Sequence, residues 1–250
     1  MSGRRMALTA HLVARVHRVV EDSGPLPGLV YHTEEDYDAA VREMLASRLR
    51  GEDLWLFAYG SLIWKPEVEH VEERVGTARG WHRSFCLRLI RWRGTKEQPG
   101  LMMALDRGGQ CKGVAYRLAD HTVEAQLGKL FRREMSVKPS PNMPRWIAVD
   151  TDQGRIRAIA FVVSRRGTGY AGRLTPEETA DMLAVACGHS GSCAEYLYNT
   201  VSHLKERGIH DRNLWHLQQL VAERIASDYR HACLTPVRRA ASRASAIISI

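Results

Sequence analysis

Four short stretches carry residue types that can do chemistry. Tyr59-Gly60-Ser61-Leu62 follows the apolar, aromatic run 54–58, which reads as a buried strand. A strand that stops at Gly-Ser presents bare backbone N–H groups, and glycine lets an anion approach them closely. Arg93-Gly94-Thr95, with Pro99-Gly100 behind it, joins a cation to turn residues. Leu130-Phe-Arg-Arg-Glu134 sets a carboxylate beside two cations, and Gly188-His-Ser-Gly191 leads into Glu195-Tyr-Leu197. Each has a plain structural alternative: a turn serine, glycines flanking a hairpin loop, a solvated carboxylate, the start of a helix.

Two further chemistries find little support. Ser61 lies in Tyr-Gly-Ser-Leu, which lacks the Gly-x-Ser-x-Gly elbow of a serine nucleophile, and no acid–histidine pair is evident to activate it. Cys187, His189, Cys193, His203, His210 and His216 crowd the C-terminal third, but no paired C-x2-C or matched ligand set accompanies them. Helix-face packing and exposed imidazoles explain them better than a zinc site.

The elements that must position these groups are legible from periodicity and punctuation. Apolar residues at helical spacing predict a helix over 7–20, and Thr33 caps an acidic first turn for another reaching Gly51. Strands dominate 54–164: beyond 54–60, the pattern predicts them at 71–79, 81–90, 100–106, 111–118, 145–150 and 156–164. Arg93-Gly94-Thr95, Gly108-Gly109 and Asp152-Gln153-Gly154 read as turns between them. One helix interrupts at about 120–134, with Val123, Leu127, Leu130 and Phe131 as its apolar stripe. Thr175-Pro176 starts a further helix, another spans 192–207 before Gly208, and a last one runs from Asp211 or Asn213 to about 229. Six or seven short strands with one inserted helix predict an antiparallel or mixed, barrel-like α+β core.

Composition narrows the class. The 250 residues are 44% hydrophobic and 26% charged, as in globular enzymes. No run reaches membrane-spanning length, and the Met-Ser-Gly-Arg-Arg start lacks the apolar core of a signal peptide. Five scattered cysteines favour reduced thiols and a cytoplasmic location. The net charge of +8 comes largely from the two ends and from the cluster Arg88, Arg91 and Arg93. No nucleic-acid motif accompanies it, so a mildly basic surface or an anionic small-molecule substrate accounts for it better than nucleic acid.

Taken together and in order, the four stretches resemble the ChaC-type γ-glutamylcyclotransferases, which act on glutathione. The resemblance runs from about Leu54 to Ile225. It rests on Phe57-Ala-Tyr-Gly-Ser-Leu-Ile-Trp64, Gly80-Trp-His-Arg83, Arg93-Gly-Thr-x-x-x-Pro-Gly100, Gly113-Val-Ala-Tyr-Arg117, Arg133-Glu134 and Ser190-Gly191…Glu195-Tyr-Leu197…Gly208-Ile-x-Asp211. It implies an α+β fold with a γ-glutamylcyclotransferase-like barrel and flanking helices. The corresponding domain is 53–229, behind a helical extension over 1–52 and before a basic, then apolar, loosely attached tail over 230–250. It also implies that Phe57, Ala58, Tyr59, Gly60, Ser61 and Leu62 hold the γ-glutamyl group, and that Glu134 is the catalytic acid/base. Two places depart from the family pattern. Met135-Ser-Val-Lys-Pro-Ser-Pro-Asn142 stands where a Gly-Tyr is common, and Cys193 stands where asparagine is usual.

The implied reaction is self-contained. The substrate's α-amine attacks its own γ-carbonyl, closing a five-membered ring and releasing Cys-Gly and 5-oxoproline, so no metal, cofactor or covalent intermediate is required. Arg88, Arg91 and Arg93 are candidate contacts for the glycine carboxylate of glutathione, with Arg91 and Arg93 expected on one face of a continuing strand. The rival reading is a non-catalytic binder of γ-glutamyl or other anionic ligands on the same fold, acting as a regulator. A second enzyme reading, action on other γ-glutamyl peptides or γ-glutamylamines, differs only in recognition of the leaving group.

Overall fold

Capping residues set the first two helices. The structure, a computed structural model, describes residues 5–234 apart from residue 168, with side chains described to residue 227. Thr9 Oγ1 accepts from Leu12 N at 3.3 Å to open α1 (Ala10–Val16), and Thr33 with Asp36 forms a capping box at the head of α2 (Glu34–Ala46). Both helices are shorter than the periodicity predicts. Val19 is 94% exposed, and the chain runs extended from His17, which lets Arg18 reach the carbonyl of Val185 at 3.1 Å. A two-residue strand, β1 (Val30–Tyr31), lies between the helices.

The barrel is built from β2 (Trp55–Ala58), β3 (His70–Leu89) and β4 (Gly100–Leu118), then, after α3 (Val123–Glu134) and the short β5 (Val137–Lys138), from β6 (Asn142–Thr151) and β7 (Gly154–Val163). Its order is β2-β4-β3-β6-β7, and β7 closes the ring by pairing in parallel with β2 through Trp55↔Ala158 and Leu56↔Ile159. The remaining ladders are antiparallel apart from one β4–β7 contact at Leu105↔Val162. The result is a closed, mixed five-stranded barrel in an α+β fold.

Two expected breaks turn out to be kinks. Residues 71–79 and 81–90 belong to one strand, as do 100–106 and 111–118. Gly80, Gly108 and Gly109 have φ of 81°, 109° and 67°, and the register shifts between Arg79 and Trp81. Left-handed glycines at that point bend both strands around the barrel without reversing them, which is the work of a β-bulge.

Helices cover the outside. α3 buries Val123, Leu127, Leu130 and Phe131, the stripe expected from sequence, and Phe131 meets Phe161 edge-on at 5.9 Å. Each such side chain contributes about 1.5–3 kcal/mol of burial. Thr175 and Pro176 start α4 (Pro176–Val185); a small hairpin of β8 (Cys187–Gly188) and β9 (Gly191–Ser192) follows. α5 (Cys193–Glu206) ends before Gly208, at φ 66°, and Asp211 caps α6 (Arg212–Leu234) by accepting from Asn213 N and Leu214 N. The tail beyond 234 lies outside the described residues. The N-terminal 5–52 shares this core: Leu8 is fully buried and donates its N–H to Gln218 at 2.8 Å, while β1 pairs with β5. Among the described residues no helix is long and apolar enough to cross a membrane.

Candidate active site

The turn after β2 is fixed from both sides. Tyr59 donates its hydroxyl to the Phe161 carbonyl at 2.8 Å, and the Tyr59 carbonyl accepts from Arg83 Nε at 2.6 Å. Arg83 is buried in β3, where its guanidinium also bonds the Lys112 carbonyl and pairs with Asp211 at 3.0 Å. One ion pair thus ties the Gly80–Arg83 and Gly208–Asp211 motifs to the Tyr59 backbone. Gly113 is required because a Cβ there would sit 2.4 Å from the Ala58 carbonyl oxygen.

Tyr59, Gly60, Ser61 and Leu62 line a cavity of about 580 Å³, together with Glu134 and Tyr196. Phe57 and Ala58 do not reach it. Both are fully buried in β2, whose two faces pack into the core, so they support the turn from below and leave the cavity wall to the next four residues. Ser61 opens a single 3-10 turn and donates its N–H to the Tyr196 hydroxyl at 3.3 Å. A Cβ on Gly60 would lie 2.7 Å from that same hydroxyl oxygen, so the glycine makes room for the tyrosine.

Glu134, the last residue of α3, lines the same cavity as the turn. Its carboxylate accepts from Asn142 Nδ2 at 3.1 Å and lies 3.2 Å from Arg133 Nε. Burial pushes the Glu134 carboxyl above the ordinary carboxylate range; Arg133 opposes this, Glu67 reinforces it, and the Asn142 N–H opposes it. The two flanking arginines separate. Arg132 points outward to Glu34 and over the Tyr37 ring, whereas Arg133 points inward, donating to Ser61 Oγ at 3.1 Å and pairing with Glu67 at 3.2 Å. Helix and turn are therefore cross-linked beside the carboxylate. Burial likewise raises Tyr196 to about 12, so its hydroxyl stays protonated and available as a donor.

The three arginines go three ways. The strand ends at Leu89 and Trp92 adopts φ 62°, so strand alternation does not extend to Arg91 and Arg93 and they do not share a face. Arg91 leaves the cavity and holds Asp22 through two bonds of 2.7 Å, which keeps that carboxyl down at about 2. Arg93 stays on the wall but is engaged, donating to Ser192 O at 2.7 Å and Glu195 at 2.8 Å. Arg88 also lines the cavity; its side chain is exposed, and nothing among the described residues pairs with its guanidinium.

The glycines of this loop serve close backbone approach. A Cβ on Gly94 would lie 2.3 Å from Gly100 N, and one on Gly188 would lie 2.2 Å from the Trp92 carbonyl oxygen. Cys193 finishes the lock, its sulfur lying 3.2 Å from Arg93 O and 3.5 Å from Leu101 O, two acceptors for its one S–H. Of the other members of the Cys/His group, the His203 ring lies 6.4 Å from Trp64, His210 stacks on Trp215 at 5.0 Å, His189 lies 3.4 Å from Asp22, His216 is exposed and Cys187 is buried. Tyr196, Arg133 and Asn142 are site residues that the motifs do not single out as such. Tyr196 was visible only as the middle of Glu195-Tyr-Leu197, and its contact with Ser61 spans 135 residues.

Comparison with known proteins places the chain in a family. The model of the ChaC-like protein family matches residues 54–224. The glutathione-specific gamma-glutamylcyclotransferase of Escherichia coli K12 is 38% identical over 203 residues, covering 81% of this chain and 87% of that protein. The glutathione-specific gamma-glutamylcyclotransferase 1 of Mus musculus is 35% identical over 157 residues, 58% of this chain and 66% of the relative. Among solved structures, a yeast gamma-glutamyl cyclotransferase specific to glutathione superposes with a TM-score of 0.62 at 19% identity, covering 73% of this chain and 99% of that one, a likeness of fold. The chain belongs to the ChaC-like protein family.

Proposed function

We propose that the protein is a glutathione-specific γ-glutamylcyclotransferase, converting glutathione to 5-oxoproline and Cys-Gly. The observation that carries this reading is Glu134, a largely buried carboxylate raised above its ordinary range and sharing one cavity and one arginine, Arg133, with the Gly60–Leu62 turn. The bound substrate's α-amine is an ammonium at neutral pH. Glu134 takes one proton from it, the freed lone pair attacks the γ-carbon, and that proton passes to the amide nitrogen as the C–N bond breaks. The second proton, shed by the new ring nitrogen, also goes to the departing amine, which leaves as an ammonium. The turn, lying where the cavity meets backbone amides, supplies donors for the α-carboxylate or the developing oxyanion. A volume of about 580 Å³ suits a tripeptide. The four described thiols, all buried and free, suit a cytoplasmic setting. A binder would have no use for a proton carrier at this position, which favours the enzyme over the rival. Incubating the purified protein with glutathione tests the reading: 5-oxoproline and Cys-Gly should appear in equal amounts, and tight binding without product would establish the binder instead.

Selectivity for glutathione falls to Arg88, the arginine of the three on the cavity wall whose guanidinium has no partner among the described residues. A charge-assisted bond to the glycine carboxylate is worth about 1.5–3 kcal/mol. Arg88→Ala should therefore raise KM for glutathione roughly ten- to a hundredfold while changing γ-Glu-Cys, which lacks that glycine, far less. Equal effects on both substrates would remove Arg88 from the carboxylate subsite.

A further inference from the structure

Asn142 lines the cavity, and one of its polar atoms is buried without a partner among the described residues. Asn142 begins β6, paired with Val163 of β7, and its backbone is held by Ser140, whose hydroxyl donates to Asn142 O at 2.7 Å and accepts from Asn142 N at 3.3 Å. Its side-chain Nδ2 donates to Glu134 Oε2 at 3.1 Å. Its Oδ1 is buried and hydrogen-bonded to nothing among the described residues. An ionised carboxylate only accepts, so Glu134 dictates which end of the amide faces it, and the oxygen is turned away from the carboxylate. A buried amide oxygen without a donor costs about 1–3 kcal/mol. Such an atom calls for a donor, and a bound ligand is one source of it.

The reaction proposed above leaves N–H groups to place. An α-ammonium has three, and Glu134 takes one of them before the attack, which leaves two to be held while the lone pair is aimed. We propose that Asn142 is a two-sided positioning residue, its Nδ2 fixing the Glu134 carboxylate and its Oδ1 accepting an N–H of the substrate's α-amine. Asn142 exchanges no proton. It fixes the rotation of the amine, so that once Glu134 has removed one proton the lone pair is aimed at the γ-carbon. The inference rests on the cyclotransferase reading of this cavity. It also gives a use to Asn142 in the segment after Glu134, where the chain departs from its family's common pattern.

Three measurements on Asn142→Asp and Asn142→Ala test this beside the wild type. The first is the pH profile of kcat/KM. The groups facing Glu134 are Arg133, Glu67 and the hydroxyls of Tyr59 and Tyr196, and none of them changes in either variant. Asn142→Asp keeps the shape but sets an acceptor against Glu134, so the acid limb should move to higher pH by about one unit or more; Asn142→Ala should move it less. The second is rate: Asn142→Ala should lose roughly ten- to a hundredfold in kcat/KM. The third separates positioning from packing. Glutaryl-Cys-Gly, which lacks the α-amine, should inhibit both variants within about twofold of the wild type, since Oδ1 has nothing to accept from it. Thermal melting checks that each variant folds, and the near-isosteric aspartate carries the test if the alanine variant does not. An unshifted acid limb in both variants, or an equal loss toward glutathione and toward its deamino analogue, would overturn the assignment. Wild-type protein that makes no 5-oxoproline would overturn the cyclotransferase reading together with it, whereas an active wild type matched by both variants would overturn this inference alone.

Discussion

Glu134 is held at a cost to the fold, and the sign of that cost can be measured. Its carboxyl titrates above the free value of 4.5 because burial penalises the charged form more than Arg133 and Asn142 favour it. A carboxyl with a raised folded value binds more protons folded than unfolded. Stability therefore falls as pH rises from about 4.5 through the raised value, and the full deficit is present above it. Glu134→Gln removes the titration. Its melting temperature should exceed that of the wild type at pH 8, with the difference closing as pH drops below about 4. A glutamine variant less stable than the wild type at pH 8 would mean that the carboxylate is a net stabilising group. Single residues were partly legible in the sequence. Gly60, Ser61 and Glu134 sit in local motifs, but the reason for Gly60 is the Tyr196 hydroxyl, supplied by a helix that begins more than a hundred positions later. Asn142 had no motif, because its role exists only once β6 is laid beside the end of α3.

At the scale of elements, the site depends on long strands bent by glycine and tied at one arginine. Arg83 reaches the Tyr59 carbonyl, the Lys112 carbonyl and Asp211 from a nearly inaccessible position, its side chain 2% exposed. Breaking a buried pair by removing one partner typically costs about 3–5 kcal/mol. Arg83→Ala should show a loss of that size in urea unfolding and, by releasing the turn, a drop in turnover; a loss below about 1 kcal/mol would mean the clamp holds nothing. Strand existence was readable from alternation, and the α3 stripe from its spacing. Strand continuity was not, because a glycine pair signals a reversal and a bulge with the same residues, and only the neighbouring register distinguishes them. The same limit applied to Arg91 and Arg93. Strand alternation predicts a shared face only while the strand lasts, and Trp92 ends it with a left-handed backbone.

The described residues form one packed unit in which the N-terminal segment takes part. Leu8 and Val16 join the main core, Leu26 and Leu29 line the cavity, and Asp22 holds Arg91. Sequence composition marks these residues as an accessory extension, since nothing local reveals that Leu8 meets Gln218 across 210 positions. Leu8→Ala should destabilise the protein by about 2–5 kcal/mol within a single cooperative transition. An unchanged main transition would make the segment a separate appendage. The central claim, that the assembled cavity drives substrate cyclisation through one carboxylate, is tested most directly by measuring turnover and binding together in Glu134→Gln. The account predicts that 5-oxoproline formation from glutathione falls roughly 10² to 10⁴-fold while the calorimetric Kd for glutathione stays within a few-fold of the wild-type KM. Near wild-type kcat in that variant would contradict it.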